Sequence, residues 1–301
     1  MLHSRAAIYF DEVARLGSIR RASEALHIAP SAIDRQILQL EQHLGNPLFE
    51  RLPRGLRLTA AGELLVEAVR RWRREYDRVQ SHIDDLQGLR RGKVSIAMVE
   101  GAADFIASCL RAFHVKYGAI EHFIRVAGAR EIADLVTSGE VDMGIVFNPP
   151  TSAALRVERT LLYQLGLMVT PDHALAGRER ISISECDYPI VGPDESISLR
   201  AIINEVWHKA VGHPVRLSMT TNSMSMLKTL VLNGIGVGLV TEMDIYAETR
   251  AGSLVFVPLQ ESVPMSVLAV ITASGRTLSV PASLLVQQLV SAMMQEEVPG
   301  I

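Results

Sequence analysis

The hydrophobic pattern divides the chain into three stretches of different period. In the first, Ala6, Phe10, Val13 and Ala14 recur at helical spacing, and Gly17 follows as a stop signal. Ser18 is placed to cap a second helix, Ile19–Leu26, whose Ala22, Ala25 and Leu26 form one small apolar face. After the break at His27-Ile28-Ala29, Pro30 suits the first turn of a third helix. There Ile33, Ile37, Leu40 and Leu44 step by 4, 3 and 4, a buried stripe. Small faces joined through a tight turn predict a helix-turn-helix over about residues 18–44. Gly45-Asn46-Pro47 ends the third helix. Residues 48–59 then predict a turn at 53–55 with short extended flanks, a hairpin wing carrying Arg51, Arg54 and Arg57.

The second stretch has no Pro or Gly from Glu63 to Gln87. Leu65, Val69, Trp72, Tyr76, Val79, Ile83 and Leu86 step by 4, 3, 4, 3, 4 and 3, an a/d seam, and Thr59 can cap the helix that carries it. A linker helix over 59–89 is expected, roughly 40 Å long at about 1.5 Å per residue. Such a helix cannot hide the seam on itself. The partner is the same helix of a second copy or, alternatively, the chain's own C-terminal part. Arg70, Arg71, Arg73, Arg74, Glu75 and Asp77 fall on the outer faces and predict a solvated surface.

In the third stretch the period alternates. Residues 93–99 predict a strand that is apolar on both faces, as in a buried parallel sheet. A helix follows with Phe105, Ile106, Cys109, Leu110, Phe113 and Tyr117 on one side, then strand 122–126, helix 130–138 and strand 142–147. This alternation is α/β. With 301 residues, 48% hydrophobic and 21% charged, the chain has core material for two domains or more.

Charge sharpens the division. Residues 1–92 carry fifteen arginines against twelve acids, net +3, and the remainder is net −6. A basic head on an acidic body fits phosphate contacts at one end. On the third helix Ser31, Arg35, Gln39 and Gln42 fall opposite the buried stripe with Asp34 on a flank. Arginine suits guanine and phosphate, and serine and glutamine suit bases or backbone, so this face reads as a DNA-recognition surface or as a solvated polar face. Cys109 and Cys186 have no His or Cys at metal spacing and read as packing residues, with a redox pair as the alternative. Gly234-x-Gly236-x-Gly238 follows a helix and precedes a strand, the reverse of a dinucleotide fingerprint, and Gly234 reads as the left-handed stop of helix 224–233. The nine histidines are scattered, and neither HExxH nor a phosphate loop occurs. Neither catalysis nor a metal or cofactor is expected. No apolar run approaches the ~20 residues needed to cross a bilayer, and residues 1–18 lack a secretory stretch, so a cytoplasmic protein without membrane partners is expected.

Resemblance adds to this reading. Phe10-Asp11-Glu12-Val13-Ala14, Gly17-Ser18, Arg21-Ala22-Ser23-Glu24-Ala25-Leu26, Ser31-Ala32-Ile33, Arg35-Gln36-Ile37, Leu40-Glu41, Leu44-Gly45, Pro47-Leu48-Phe49-Glu50-Arg51 and Leu58-Thr59-Ala60-Ala61-Gly62 together resemble the winged-helix head of LysR-type transcriptional regulators. Residues 138–146, 165–176, Asn222-Ser223 and 234–240 resemble the inducer-binding domain of that family, which is similar to type 2 periplasmic binding proteins. The resemblance implies a multidomain chain. A winged helix-turn-helix domain would occupy 1–62 and an α/β effector-binding domain 92–301, with lobe I at 92–163 plus 265–301 and lobe II at 164–264. The chain would cross between lobes near 162–164 and 264–266.

It further implies double-stranded DNA as partner, with a partly palindromic operator read by Ser31, Ala32, Asp34, Arg35, Gln39, Arg51 and Arg54 of each subunit. A homodimer through the linker helix and a homotetramer beyond it are implied, with RNA polymerase as a partner if the protein activates. Effector contacts map to Glu100, Gly128, Arg130, Phe147, Ser196, Ser198, Asn222 and Thr241, with Asn222 and Ser223 equally readable as helix caps. Pro30 and Asp34 depart from a glutamine and a hydroxyl of the family, which predicts an altered operator preference. Glu100 replaces a family hydroxyl that holds a carboxylate; facing the cleft, it would repel an acid and favour an amine or hydroxyl-bearing effector. A secreted solute-binding protein would not need the head, and an architectural DNA protein would not need the cleft. A cytosolic small-molecule-binding protein without DNA-dependent regulation is the remaining alternative.

Overall fold

The computed structural model describes residues 5–52, 55–86, 92–261 and 265–296. The chain forms two compact units, residues 1–83 and 84–301.

The first unit begins with α1 (Arg5–Leu16), α2 (Ile19–Leu26) and α3 (Pro30–Leu44), followed by the antiparallel hairpin β1 (Phe49–Leu52) and β2 (Gly55–Leu58) and the long α4 (Ala60–Leu86). The starts and stops follow local chemistry. Ser18 accepts from Arg21 N–H at the N-cap of α2, His27 closes that helix in the left-handed region, Pro30 sits in the first turn of α3, and Gly45 ends it at φ +66. Phe10, Val13, Ala22, Ile33, Ile37, Leu48, Phe49, Val66 and Val69 form one core. The expected stripes are shorter than their periodicity suggested. Leu44 is exposed because α3 outruns the small core beneath it, and Ala25 is exposed because α2 has only two turns with which to face its neighbours. Glu41 explains its place in the head: one carboxylate oxygen accepts from both Leu48 N–H (2.7 Å) and Phe49 N–H (3.3 Å), docking the hairpin on α3. Gly55 has φ +125, and a Cβ there would lie 2.7 Å from the Gly17 carbonyl oxygen, which accepts from Leu56 N–H.

Thr59 caps α4 by accepting from Gly62 N–H, and its hydroxyl donates to Pro47 O at 2.7 Å. A Cβ on Gly62 would run into Leu48 O. Arg70, expected on a solvated face, instead donates to Asp11 at 2.8 Å and fastens α4 to α1. Beyond Val69 the seam leaves the core: Trp72 is 50% exposed, and Val79 and Ile83 are exposed as well. Residues 87–89, the expected end of this helix, lie outside the described residues, as does the Leu86 side chain.

The second unit is built on two five-stranded sheets. The first is ordered β4-β3-β5-β12-β6 and comprises β3 (Gly92–Met98), β4 (Ile120–Val126), β5 (Met143–Phe147), β6 (Leu155–Tyr163) and β12 (Ser266–Ala273). As the two-faced hydrophobicity implied, β3 pairs in parallel with both neighbours, whereas β12 runs antiparallel to β5 and β6. Helices α5 (Ala103–Lys116), α6 (Ala129–Ser138) and α10 (Val280–Glu296) cover it. The second sheet is ordered β11-β7-β10-β8-β9. It comprises β7 (Leu165–Val169), β8 (Ile190–Pro193), β9 (Met219–Thr221), β10 (Val237–Thr241) and β11 (Val255–Pro258), with α7 (Leu199–Val211), α8 (Met224–Leu232) and α9 (Tyr246–Ala251). The chain passes from the first sheet to the second at Gln164, between β6 and β7. It returns between β11 and β12, where residues 262–264, including the expected crossing residue Pro264, lie outside the described residues.

The three-glycine run packs rather than binds. Gly234 takes φ +72 after α8, a Cβ on Gly236 would run into Pro189 O, and one on Gly238 would meet Met168 and Leu227. Among the described residues, no group of His, Cys, Asp and Glu could hold a metal ion, and no helix is long and apolar enough to cross a membrane.

Candidate functional site

On α3, Ser31, Ala32, Arg35 and Gln39 are exposed on one side of the helix, opposite buried Ile33 and Ile37. Among the described residues Ser31 and Arg35 make no side-chain hydrogen bond or ion pair, so their donors are free for a partner. Gln39 accepts from Gln36 Nε2 at 2.9 Å and keeps its own amide N–H groups. Asp34 behaves differently: its Oδ1 accepts from Arg51 Nη2 at 3.0 Å, joining the third helix to the wing. Part of the wing's basic charge is thus engaged at home, and Arg57 pairs with Glu50 at 2.6 Å. Arg54 lies outside the described residues. The geometry is a convex face with one free guanidinium, flanked by a hairpin whose described arginines are paired.

In the second unit, Glu100, Gly128, Phe147, Ser196, Ser198, Asn222 and Thr241 line one cavity of about 430 Å³ between the two sheets. Arg130 is not among its lining residues. It is exposed, because one step along α6 turns it away and brings Glu131 to the wall instead. Other wall residues carried no ligand signal in the sequence, among them Gly101, Met224, Asp244 and Ser266. Asp244 alone could have been found, because Thr241-x-x-Asp244 has the spacing of a capping box. Its Oδ2 accepts from Thr241 N–H and Thr241 Oγ1, both at 2.8 Å. Burial pushes the Asp244 carboxyl above the usual carboxylate range, against the lowering effect of those bonds.

Most of the expected contacts already have partners. Ser196 donates through N–H and Oγ to Asp194, and Ser198 Oγ donates to Phe147 O at 3.3 Å, from the second sheet's side to the first. Glu100 reaches the cavity but does not present a free charge to it. Its Oε1 accepts from Ser223 Oγ (3.1 Å) and Ser225 N–H (3.0 Å), and its Oε2 from Met224 N–H (2.9 Å). The expectation that it repels an acid and favours an amine or hydroxyl-bearing effector assumed a free charge, whereas three donors already hold this carboxylate. Ser223 is the N-cap of α8, as one of its two readings had it, and Asn222 is exposed on the cavity wall. Both cysteines are free. Burial pushes the Cys109 thiol up to about 11 and raises that of Cys186.

A winged helix-turn-helix with an open polar face, together with a two-sheet α/β module closing on a small-molecule-sized cavity, defines a ligand-responsive DNA-binding regulator. Residues 4–63 match the family model described as a bacterial regulatory helix-turn-helix protein of the lysR family, and residues 87–294 match the LysR substrate binding domain. The chain belongs to the LysR family of transcriptional regulators. It is 27% identical over 244 residues to the RuBisCO operon transcriptional regulator of Allochromatium vinosum, covering 80% of each chain. It is 28% identical over 260 residues to the transcriptional regulator CbbR of Rhodospirillum rubrum, covering 86% of each. Its fold matches full-length CbnR complexed with its target DNA, with a TM-score of 0.71 at 18% identity over 97% of this chain and 98% of that one.

Proposed function

We propose that the protein acts in the cytoplasm as a homodimer, joined through α4 and assembled further into a tetramer, that reads a partly palindromic operator with paired α3 helices. The single observation behind this reading is the α3 face. Ser31 and Arg35 stand exposed, with no partner among the described residues, on the side of the helix opposite buried Ile33 and Ile37. Two such helices across a dyad match two half-sites about one DNA turn apart. Exposed Trp72, Val79 and Ile83 give α4 an apolar seam for a second copy. The cleft between the sheets takes a small effector, whose binding changes lobe closure and so the arrangement of the linked heads. The residues assigned to it are Glu100, Gly128, Phe147, Ser196, Ser198, Asn222 and Thr241. Catalysis has no part in this function.

Fluorescence anisotropy of the purified protein with labelled duplex from its own upstream region tests the reading. Tight binding that weakens steeply with salt, and that outcompetes unrelated duplex, is expected. Salt-insensitive or absent binding would overturn it.

A further inference from the structure

The N-terminus of α8 gathers unpaired N–H donors and partial positive charge at the wall of the cavity. All of those donors are already taken. Met224 and Ser225 N–H donate to Glu100, and Met226 N–H donates to Ser223 Oγ, which in turn donates to Glu100. Leu227 N–H, the next in line, donates to Ser223 O within the helix. Glu100 comes from the other side of the cleft, in a single turn that follows β3 of the first sheet, whereas α8 belongs to the second. The residue is 123 to 125 positions from its partners, so the contact is a tie between lobes rather than a local cap.

Adjacent contacts reinforce the tie. Gly101 sits so close to Asp244 that a Cβ would run into its Oδ1, and Ser198 Oγ donates to Phe147 O across the same cleft. The charged groups around Glu100 explain why the bond must be well made: Asp244 is buried beside it, and Lys228, the nearest basic residue on α8, is held by both oxygens of Glu248. No Lys or Arg is among the described residues that line the cavity, and the helix terminus supplies the compensation for Glu100.

We propose that Glu100 is a tethered ligand: a carboxylate of the chain itself that fills the anion seat at the α8 N-terminus, holds the two lobes together without an effector, and closes that seat to acids from solution. The proposal rests on the reading of this cleft as the effector site. It makes lobe closure the resting arrangement of this chain. An acidic effector has to displace Glu100 or bind elsewhere in the cavity, and residue 100 becomes a determinant of effector class.

Chemical complementation of the full-length protein tests this without DNA. Replacing Glu100→Ala removes the carboxylate and leaves a space into which acetate fits. Amide exchange at Met224 and Ser225 should quicken about tenfold or more relative to wild type. Millimolar acetate should restore slow exchange and raise the melting midpoint of the variant, while leaving wild type unchanged. Glu100→Gln keeps the shape and loses the charge; it should fold, lie between the two in exchange, and ignore acetate. Exchange at Met224 and Ser225 that is indifferent to both substitutions would overturn the proposal, as would acetate acting equally on wild type and Glu100→Ala. Because the readouts are exchange and melting, loss of this tie is distinguishable from a failure of operator binding.

Discussion

The reading face of α3 and the cavity between the sheets use the same kinds of side chain in opposite ways. On α3, Ser31 and Arg35 face outward with no partner among the described residues. In the cavity, serine, threonine and carboxylate groups bond to one another: Ser196 to Asp194, Thr241 to Asp244, Ser198 to the Phe147 backbone, Glu100 to α8. A duplex is large and carries its charge everywhere, so a surface for it needs only to be exposed and rightly spaced. A small molecule must replace every hydrogen bond it breaks, so a cavity whose polar groups are mostly paired favours ligands that restore the bonds they displace. On the proposed function, the difference puts specificity in position on the head and in exchange of partners in the cleft.

The largest effect that would break this comparison lies in the α4 seam proposed to pair the two α3 faces. In the proposed dimer Ile83→Asp would put a charge into the apolar seam and should raise the dimer dissociation constant about 100-fold, seen by sedimentation velocity as a shift toward monomer. Next, Arg35→Ala should weaken operator binding by about 1–3 kcal/mol while leaving the melting midpoint where it was; a fall in stability instead would mean that the guanidinium is structural. Glu41→Ala sharpens the contrast from the other side, as a head residue whose groups are engaged inward. Two buried N–H groups lose their acceptor, so stability should drop by about 1–3 kcal/mol in a chemical denaturation series.

Asp34→Ser frees Arg51 and should change selected binding sites more than affinity, with less than about 1 kcal/mol of stability lost because the pair is exposed. Identical preferred sites from random DNA would remove Asp34 from specificity. The smallest effect concerns Cys109. Its thiol is raised above the ordinary value near 9, so the buried neutral form is favoured and its contribution to stability is intact below about pH 9, then lost as pH climbs toward about 11. Alkylation at pH 8 should be far slower in the folded protein than in urea.

Much of this was legible in the sequence for a physical reason. Helical and strand periods report which face is buried, and that sufficed for the helix-turn-helix, the wing, the long helix and the α/β class. The caps at Ser18 and Thr59, the first-turn Pro30 and the stop at Gly234 were readable because their chemistry is local. What periodicity does not encode is pairing across long separations. Glu100 was placed at the cavity, but its engagement with α8 depends on residues more than a hundred positions away. Arg130 was carried to the cavity by analogy, and a single helical step exchanged it for Glu131. The exposed Leu44 and Ala25 failed for a different reason: a short core runs out before the stripe does.

The root of α4 has a mechanical consequence. With the Thr59 hydroxyl on Pro47 O, Gly62 pressed on Leu48 O and Arg70 bonded to Asp11, the helix has no swivel where it leaves the head. Two copies clasped along it would carry their grooved-DNA probes as the fixed jaws of a caliper. Such an instrument gauges the gap between half-sites as strictly as their letters, and adding half a helical turn of DNA between them should defeat it even when both half-sites are intact.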